Sequence, residues 1–276
     1  MNKIVAHFTR KEIQLKTVFI NAQIQKHIHY KPVVVFKYPS RKNESGFAEY
    51  NRDDIPKLNL SDESKFIFNF YYLKKICSHN VNKTLEFLKV NNVSILHFHF
   101  GTDAYIYCDV IRLSGLPSVV SFYGYDIGSA PKKIFGLGKK LLQNGAFKYA
   151  TKMLAMSPDM TNDLKNAGCP KEKILTHYYG VPTHLFKGIN RKYCQREKIK
   201  LLIIGNLQLK KGHLFILSAL KLLVQSGVAN FTFDIVGAGP IENKLKKFCN
   251  DFYLQNHVNF LGAAKFASEK MMNALE

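Results

Sequence analysis

Short apolar runs alternate with helical segments along almost the whole chain, and this rhythm most constrains the fold. Runs at 4–8, 33–37, 94–100, 118–123, 153–156 and 174–178 read as strands. Segments at 18–28, 81–90, 104–114, 134–147 and 159–167 carry helical patterning between them, and 66–77 reads as one more helix. Strands that alternate with helices of about 10–15 residues make βαβ units and a parallel sheet. Residues 38–62 are polar, hold Pro39, Gly46 and Pro56, and read as loop.

The rhythm pauses at 187–200, a charged stretch without apolar periodicity that reads as a linker. It restarts with strands at 201–204, 231–236 and 258–261 and helices at 214–223 and 241–252, and a last helix begins near Ser268. The expectation is an α/β chain of two Rossmann-like parallel-sheet domains. The first spans 1–186; the second, 201–276, is incomplete and leaves an apolar face uncovered.

With 46% hydrophobic residues the chain can build real cores, which excludes a disordered polypeptide. No apolar run reaches the roughly 18 residues of a membrane span, and the N-terminal apolar run is too short for a signal peptide, so a cytoplasmic protein is expected. Five cysteines, at 77, 108, 169, 194 and 249, show no C-x-x-C spacing and read as reduced thiols.

Forty basic against twenty acidic residues give a formal net charge of +20. Such an excess implies a polyanionic neighbour: nucleic acid, an anionic membrane surface or a phosphorylated substrate. Only six of the basic residues are arginine. Because arginine is the better bidentate reader of bases, specific nucleic-acid binding is not expected. Six lysines lie between Asp126 and Asp159 with no acidic residue among them. Lys132, Lys133, Lys139 and Lys140 interleave there with Ile134, Phe135, Leu137, Leu141 and Leu142. This stretch suits either an anionic bilayer surface, with the protein peripheral on the membrane, or a core-facing helix with a cationic outer face.

Open α/β sheets bind ligands beyond the carboxyl ends of their strands. Those ends hold His97 to Gly101, Phe122 to Asp126, Ser157–Pro158–Asp159, and Tyr178 to Pro182. The glycines there suit unusual backbone turns, and Ser157 or Asp159 a helix cap. His97 and His99 face one side of their strand. They read as buried hydrogen-bonded groups, or His99 as a substrate contact; zinc needs a third ligand that the neighbouring sequence does not offer. In the second half, Gly205, Asn206, Lys211 and Gly212 stand between a strand and a helix, where a lysine and helix amides suit a phosphate and the same run equally suits a solvated turn. The Gly237–Ala238–Gly239–Pro240 run gives only the first two glycines of a dinucleotide fingerprint. It fits close approach to a nucleotide or a tight turn. There is no D-x-D for metal-held donors, and no G-x-S-x-G.

In this order the loops resemble the retaining glycosyltransferases called group 1 or family 4, with the GT-B fold. The resemblance runs from the helix at 17–24 through H-F-H-F-G at 97–101, S-F-Y-G-Y-D at 121–126, Met156–Ser157 and the segment 168–186. It continues through 204–212, 235–240 and 260–262, and is nearest to enzymes of bacterial exopolysaccharide and lipopolysaccharide assembly. It implies sugar transfer from a nucleotide-sugar to a lipid-linked saccharide, with retention, no cofactor and no bound metal.

Carried over residue by residue, the resemblance makes His99, Tyr123 and Asp126 the catalytic set. Gly205, Asn206, Lys211, Gly237 and Gly239 become the donor site, and Gly101, Gly124 and Ser157 belong to acceptor-side loops. Tyr123 stands where many members have histidine, and Asn206 where an arginine partners the lysine. The family's E-x₇-E segment has no counterpart before Glu276, which implies a C-terminally truncated member. Two other readings remain: a non-catalytic basic α/β module that binds polyanions or a partner chain, and an epimerase of the same double fold.

Overall fold

The computed structural model describes residues 3–40, 54–60, 75–129, 137–186 and 198–275. The chain divides into two compact units, Met1–Val181 and Pro182–Glu276. Most of the expected linker, 187–197, lies outside the described residues, as does 66–74 of one expected helix. Ile199 and Lys200, assigned to that linker from sequence, already belong to a strand.

In the first unit the described residues form a seven-stranded, wholly parallel sheet of order β3-β2-β1-β4-β5-β6-β7. The strands are β1 (Lys3–Lys11), β2 (Tyr30–Tyr38), β3 (Lys57–Asn59), β4 (Val93–His99), β5 (Ser118–Ser121), β6 (Lys152–Ala155) and β7 (Ile174–Thr176). The helices are α1 (Val18–Gln25), α2 (Ser78–Val90), α3 (Gly101–Ile106), α4 (Cys108–Ser114), α5 (Leu137–Leu142) and α6 (Pro158–Asn166).

Successive strand residues face opposite sides, and β2 shows the result. Val33 and Val35 join a core with Ala6, Phe8, Leu96 and Phe98, while Val34 and Phe36 join Leu15, Ile20 and Ile24 of the α1 side. A parallel sheet covered on both faces needs near-continuous apolar strands, which explains the V-V-V-F run.

Three elements differ from the sequence expectation. The stretch read as loop contains β3, three residues whose register on β2 runs from Val34↔Lys57 to Phe36↔Asn59. It is too short to show a period. The helix expected at 104–114 is two helices broken at Tyr107, whose fully buried phenol donates to the Thr9 carbonyl at 2.9 Å. Residues 134–136 of the helix expected at 134–147 lie outside the described residues; the rest is α5 followed by a π-helical turn, Gln143–Phe147, where Gly145 presses on Tyr105.

The second unit is a three-stranded parallel sheet of order β10-β9-β8, with β8 (Ile199–Ile204), β9 (Phe231–Val236) and β10 (Val258–Gly262). Helices α7 (His213–Gln225), α8 (Glu242–Asp251) and α9 (Glu269–Leu275) accompany it. Leu217, Leu220, Phe231, Phe233, Ile235 and Leu245 form its core. Ile199, Leu201 and Ile204 of β8 are exposed, and Phe215 of α7 is 81% exposed.

Candidate functional site

In the first unit β1 lies between β2 and β4, so the strand order switches there. Such switch points open the crevice in which α/β sheets hold ligands. His7 on β1 pairs in register with His97 on β4, and His99 follows on the same face. The three rings lie within 5.2 Å of one another, centroid to centroid.

A continuous chain of contacts runs through them. His27 Nε2 lies 2.8 Å from His7 Nε2, His7 Nδ1 lies 2.9 Å from His99 Nε2, and His99 Nδ1 lies 2.9 Å from the Tyr123 hydroxyl. His97 Nε2 is 2.8 Å from Ser121 Oγ. Burial pushes His7 and His99 well below the ordinary histidine value and His97 down to about 3; the neighbouring imidazoles add to the shift. All three are therefore neutral at physiological pH.

This corrects two sequence expectations. A third nitrogen ligand beside His97 and His99 does exist, because β1 delivers His7 from 92 residues away. His99 has no exposed surface. It lies behind Tyr123 and is not placed to touch a substrate itself.

Tyr123 is half-buried at the rim. Its hydroxyl accepts from Gln23 Nε2 at 3.2 Å, and its ring packs on Phe19 and Phe100 at 4.5 and 4.9 Å. Phe19 in turn meets the exposed Tyr179 at 5.4 Å. Burial raises the Tyr123 pKa further above its usual value, so the phenol stays protonated. His7, Gln23, His27, Phe19 and Tyr179 were missed as site residues. Phe19 and Gln23 carried a signal in the helix at 17–24, and Tyr179 in the strand-end run 178–182; His7 and His27 carried none.

Asp126 also departs from its expected role. It is fully buried, and its two oxygens accept from the backbone N–H groups of Gly101 (2.9 Å) and Tyr123 (3.1 Å). Burial raises its pKa to about 6 against those two donors. The carboxylate is thus a tie between the β5 loop and the start of α3. That start is strained: Phe100 sits at φ 85°, a region non-glycine residues seldom adopt.

Gly101 follows because nothing larger fits. A Cβ there would stand 2.4 Å from the Phe122 ring. Gly124, at φ 104°, meets the loop's need for a left-handed residue and has open space around it. Ser157 caps α6, its Oγ accepting from Met160 N at 3.1 Å, with Pro158 at the first helical position.

Of the expected membrane-facing lysines, Lys132 and Lys133 lie outside the described residues. Lys139 and Lys140 are exposed on α5 while Leu142 is buried. Lys139 Nζ also donates to the Asn166 carbonyl at the end of α6 (3.0 Å), a contact that suits a helix C-terminus. α5 is therefore a core-facing helix with a cationic outer side. Lys152 and Lys173 likewise donate to backbone carbonyls.

In the second unit the carboxyl ends of all three strands meet. Gly205 N donates to Val236 O, Leu207 N to Ala238 O, and Gly237 N to Gly262 O, at 2.9–3.0 Å. A Cβ on Gly237 would stand 2.0 Å from the Gly205 carbonyl oxygen, and one on Gly239 would stand 2.4 Å from that of Leu207. Loop-on-loop packing by itself requires glycine at both positions.

Asn206 and Lys211 remain exposed. Lys211 ends the turn Leu209–Lys211, and Gly212, at φ 79°, starts α7 in a conformation that suits glycine. His213, the first residue of α7, is buried, and neither ring nitrogen makes a well-formed hydrogen bond. Burial lowers its pKa, and the Lys211 charge adds to this.

Residues 189–275 match the family model described as glycosyl transferases group 1. A putative colanic acid biosynthesis glycosyltransferase, WcaL of Salmonella typhimurium, is 27% identical over 166 residues, 59% of this chain. The matched part is 40% of that relative's own length. Two solved structures share the fold over nearly all of the chain. The lipopolysaccharide outer core galactosyltransferase WaaB is 13% identical, with TM-score 0.63, covering 95% of this chain and 68% of that one. Anabaena HepE in complex with UDP is 15% identical, with TM-score 0.68, covering 99% and 72%. The chain therefore has the two-sheet α/β fold of GT-B glycosyltransferase structures, and its second unit carries the match to the group 1 glycosyl transferases.

Proposed function

We propose that the chain acts in a glycosyltransferase that moves a sugar from a nucleotide-sugar to a saccharide acceptor, with retention of anomeric configuration, in cell-envelope polysaccharide synthesis. The observation that carries this reading is the group 1 match over 189–275, which spans the three laced strand-end loops of the second unit. A related fold, HepE, was solved with UDP.

In this reading Gly205, Asn206, Gly237 and Gly239 form the wall against which the nucleotide lies. Lys211 and the first amides of α7 face the diphosphate. Sugar transfer leaves a nucleoside diphosphate whose charge grows as the glycosidic bond breaks. Fixed donors and cations aimed at that charge lower the barrier, so the diphosphate relies on Lys211 and helix amides rather than on a resident metal.

On the first unit, Phe19, Tyr123 and Tyr179 offer exposed or half-exposed aromatic surface suited to a saccharide ring. Tyr123 is the group placed to touch the acceptor, with His99 and Asp126 as positioning residues behind it. A lipid-linked acceptor at the cytoplasmic face of a membrane gives the +20 charge, including Lys139 and Lys140, an anionic surface to meet.

The test is transfer of labelled sugar from a panel of nucleotide-sugars to lipid-linked saccharides. Turnover with one donor, with the anomeric configuration kept in the product, is expected. Failure of every nucleotide-sugar to bind, with salt-sensitive binding to any polyanion instead, would favour a non-catalytic basic module.

A further inference from the structure

We propose that His7, His97 and His99 of the first unit form a binding site for a transition-metal ion of the Zn²⁺ kind. One ring nitrogen of each lies within 4.8 Å of the other two, and all three side chains are buried. Neutral imidazole nitrogens are the usual histidine ligands for zinc, and burial keeps these three neutral. The set offers no oxygen ligand, so Mg²⁺ and Ca²⁺ are poor matches.

A second feature points the same way. Histidines that bind metals nearly always hold their other ring nitrogen on a hydrogen-bond partner, which fixes the tautomer and the ring plane. Here His99 Nδ1 rests on the Tyr123 hydroxyl, His97 Nε2 on Ser121 Oγ, and His7 Nε2 on His27. Zn–N bonds of about 2.0–2.1 Å in a tetrahedral site place ligand nitrogens about 3.3 Å apart. The 2.9 Å contact between His7 and His99 needs to open by only a few tenths of an ångström. As the ion takes both lone pairs, the proton now shared in that contact moves to the outer nitrogen of the ring that carries it, His7 Nε2 or His99 Nδ1, so both imidazoles stay neutral. Three protein ligands leave a fourth position for a water molecule.

A bound ion would clamp β1 to β4 at the switch point and, through His99, fix the orientation of the Tyr123 hydroxyl. The role is structural, and it stands whether or not the chain transfers sugars.

The experiment titrates the full, chelator-treated chain with Zn²⁺ alone, then with Mg²⁺, following thermal midpoint and retained metal. One zinc ion per chain and a raised midpoint are expected, with no response to Mg²⁺. His97→Gln should abolish retention. His27→Gln, which loses only the outer partner of His7, should weaken binding roughly 10- to 100-fold. His79→Gln, on the exposed side of α2, should change nothing. If His97→Gln does not fold, Co²⁺ in the unaltered chain decides. Visible bands of four-coordinate cobalt without a thiolate charge-transfer band support the site. A thiolate band, six-coordinate cobalt, no midpoint shift with excess zinc, or undiminished zinc retention in a folded His97→Gln would overturn it.

Discussion

His97, held at about 3 by burial, stays neutral in the folded protein at pH 5, whereas the unfolded chain protonates it near the ordinary value of about 6.5. The unfolded state then binds more protons, so stability falls as pH drops through this window. Linkage puts the loss between pH 7 and pH 5 at about 2 kcal/mol for His97 alone. His7 and His99 act in the same direction. Asp126 opposes them: raised to about 6, it favours the folded state as pH falls. Asp103, also raised by burial, sides with Asp126, while His27 and His213, both lowered by burial, side with the other histidines. The urea midpoint should therefore fall from pH 7 to pH 5, and His97→Gln should flatten part of that slope; a midpoint unchanged across the range would contradict the assignment. Gly101→Ala tests the packing beside this cluster. Its added methyl would meet the Phe122 ring at 2.4 Å, and a loss of about 1–3 kcal/mol is expected in the same measurement.

Among the elements, α6 is the plainest case of a local rule. Ser157 accepts the Met160 amide and Pro158 takes the first helical position. Ser157→Ala should lower stability by about 1 kcal/mol without altering any nucleotide binding; a loss of ligand affinity at full stability would instead give the hydroxyl a role in the site. Strand ends and this cap were legible in the sequence because each depends on neighbours within a few residues. The histidine cluster was not. Its third member comes from β1, and no local spacing says that β1 will lie beside β4 rather than at an edge. Asp126 was misread for a related reason. A carboxylate in a strand-end loop looks the same in sequence whether it faces a ligand or closes on the amides of Gly101 and Tyr123. Gly237 and Gly239 were legible as special positions, but what they make room for, the Gly205–Leu207 backbone, belongs to another loop.

For the molecule as a whole, the alternation of strands and helices was enough to give two parallel α/β units, and the solved structures of the same fold agree. Phe215, at 81% exposure, and the exposed apolar residues of β8 lie outside the second unit's core. Phe215→Ser should therefore change its stability by no more than about 0.5 kcal/mol; a larger loss in a urea titration would show that the side chain is packed. No described helix is long and apolar enough to cross a membrane. In the proposed function the loops of the second unit hold a nucleotide-sugar's diphosphate. Calorimetric titration of UDP, GDP and ADP into the chain, at two salt concentrations and again with Lys211→Ala, tests it most directly. Saturable binding with preference for one base is expected, weakened about tenfold or more by Lys211→Ala. Equal affinity in Lys211→Ala and the parent, or binding that ignores the base and vanishes with salt, would contradict it.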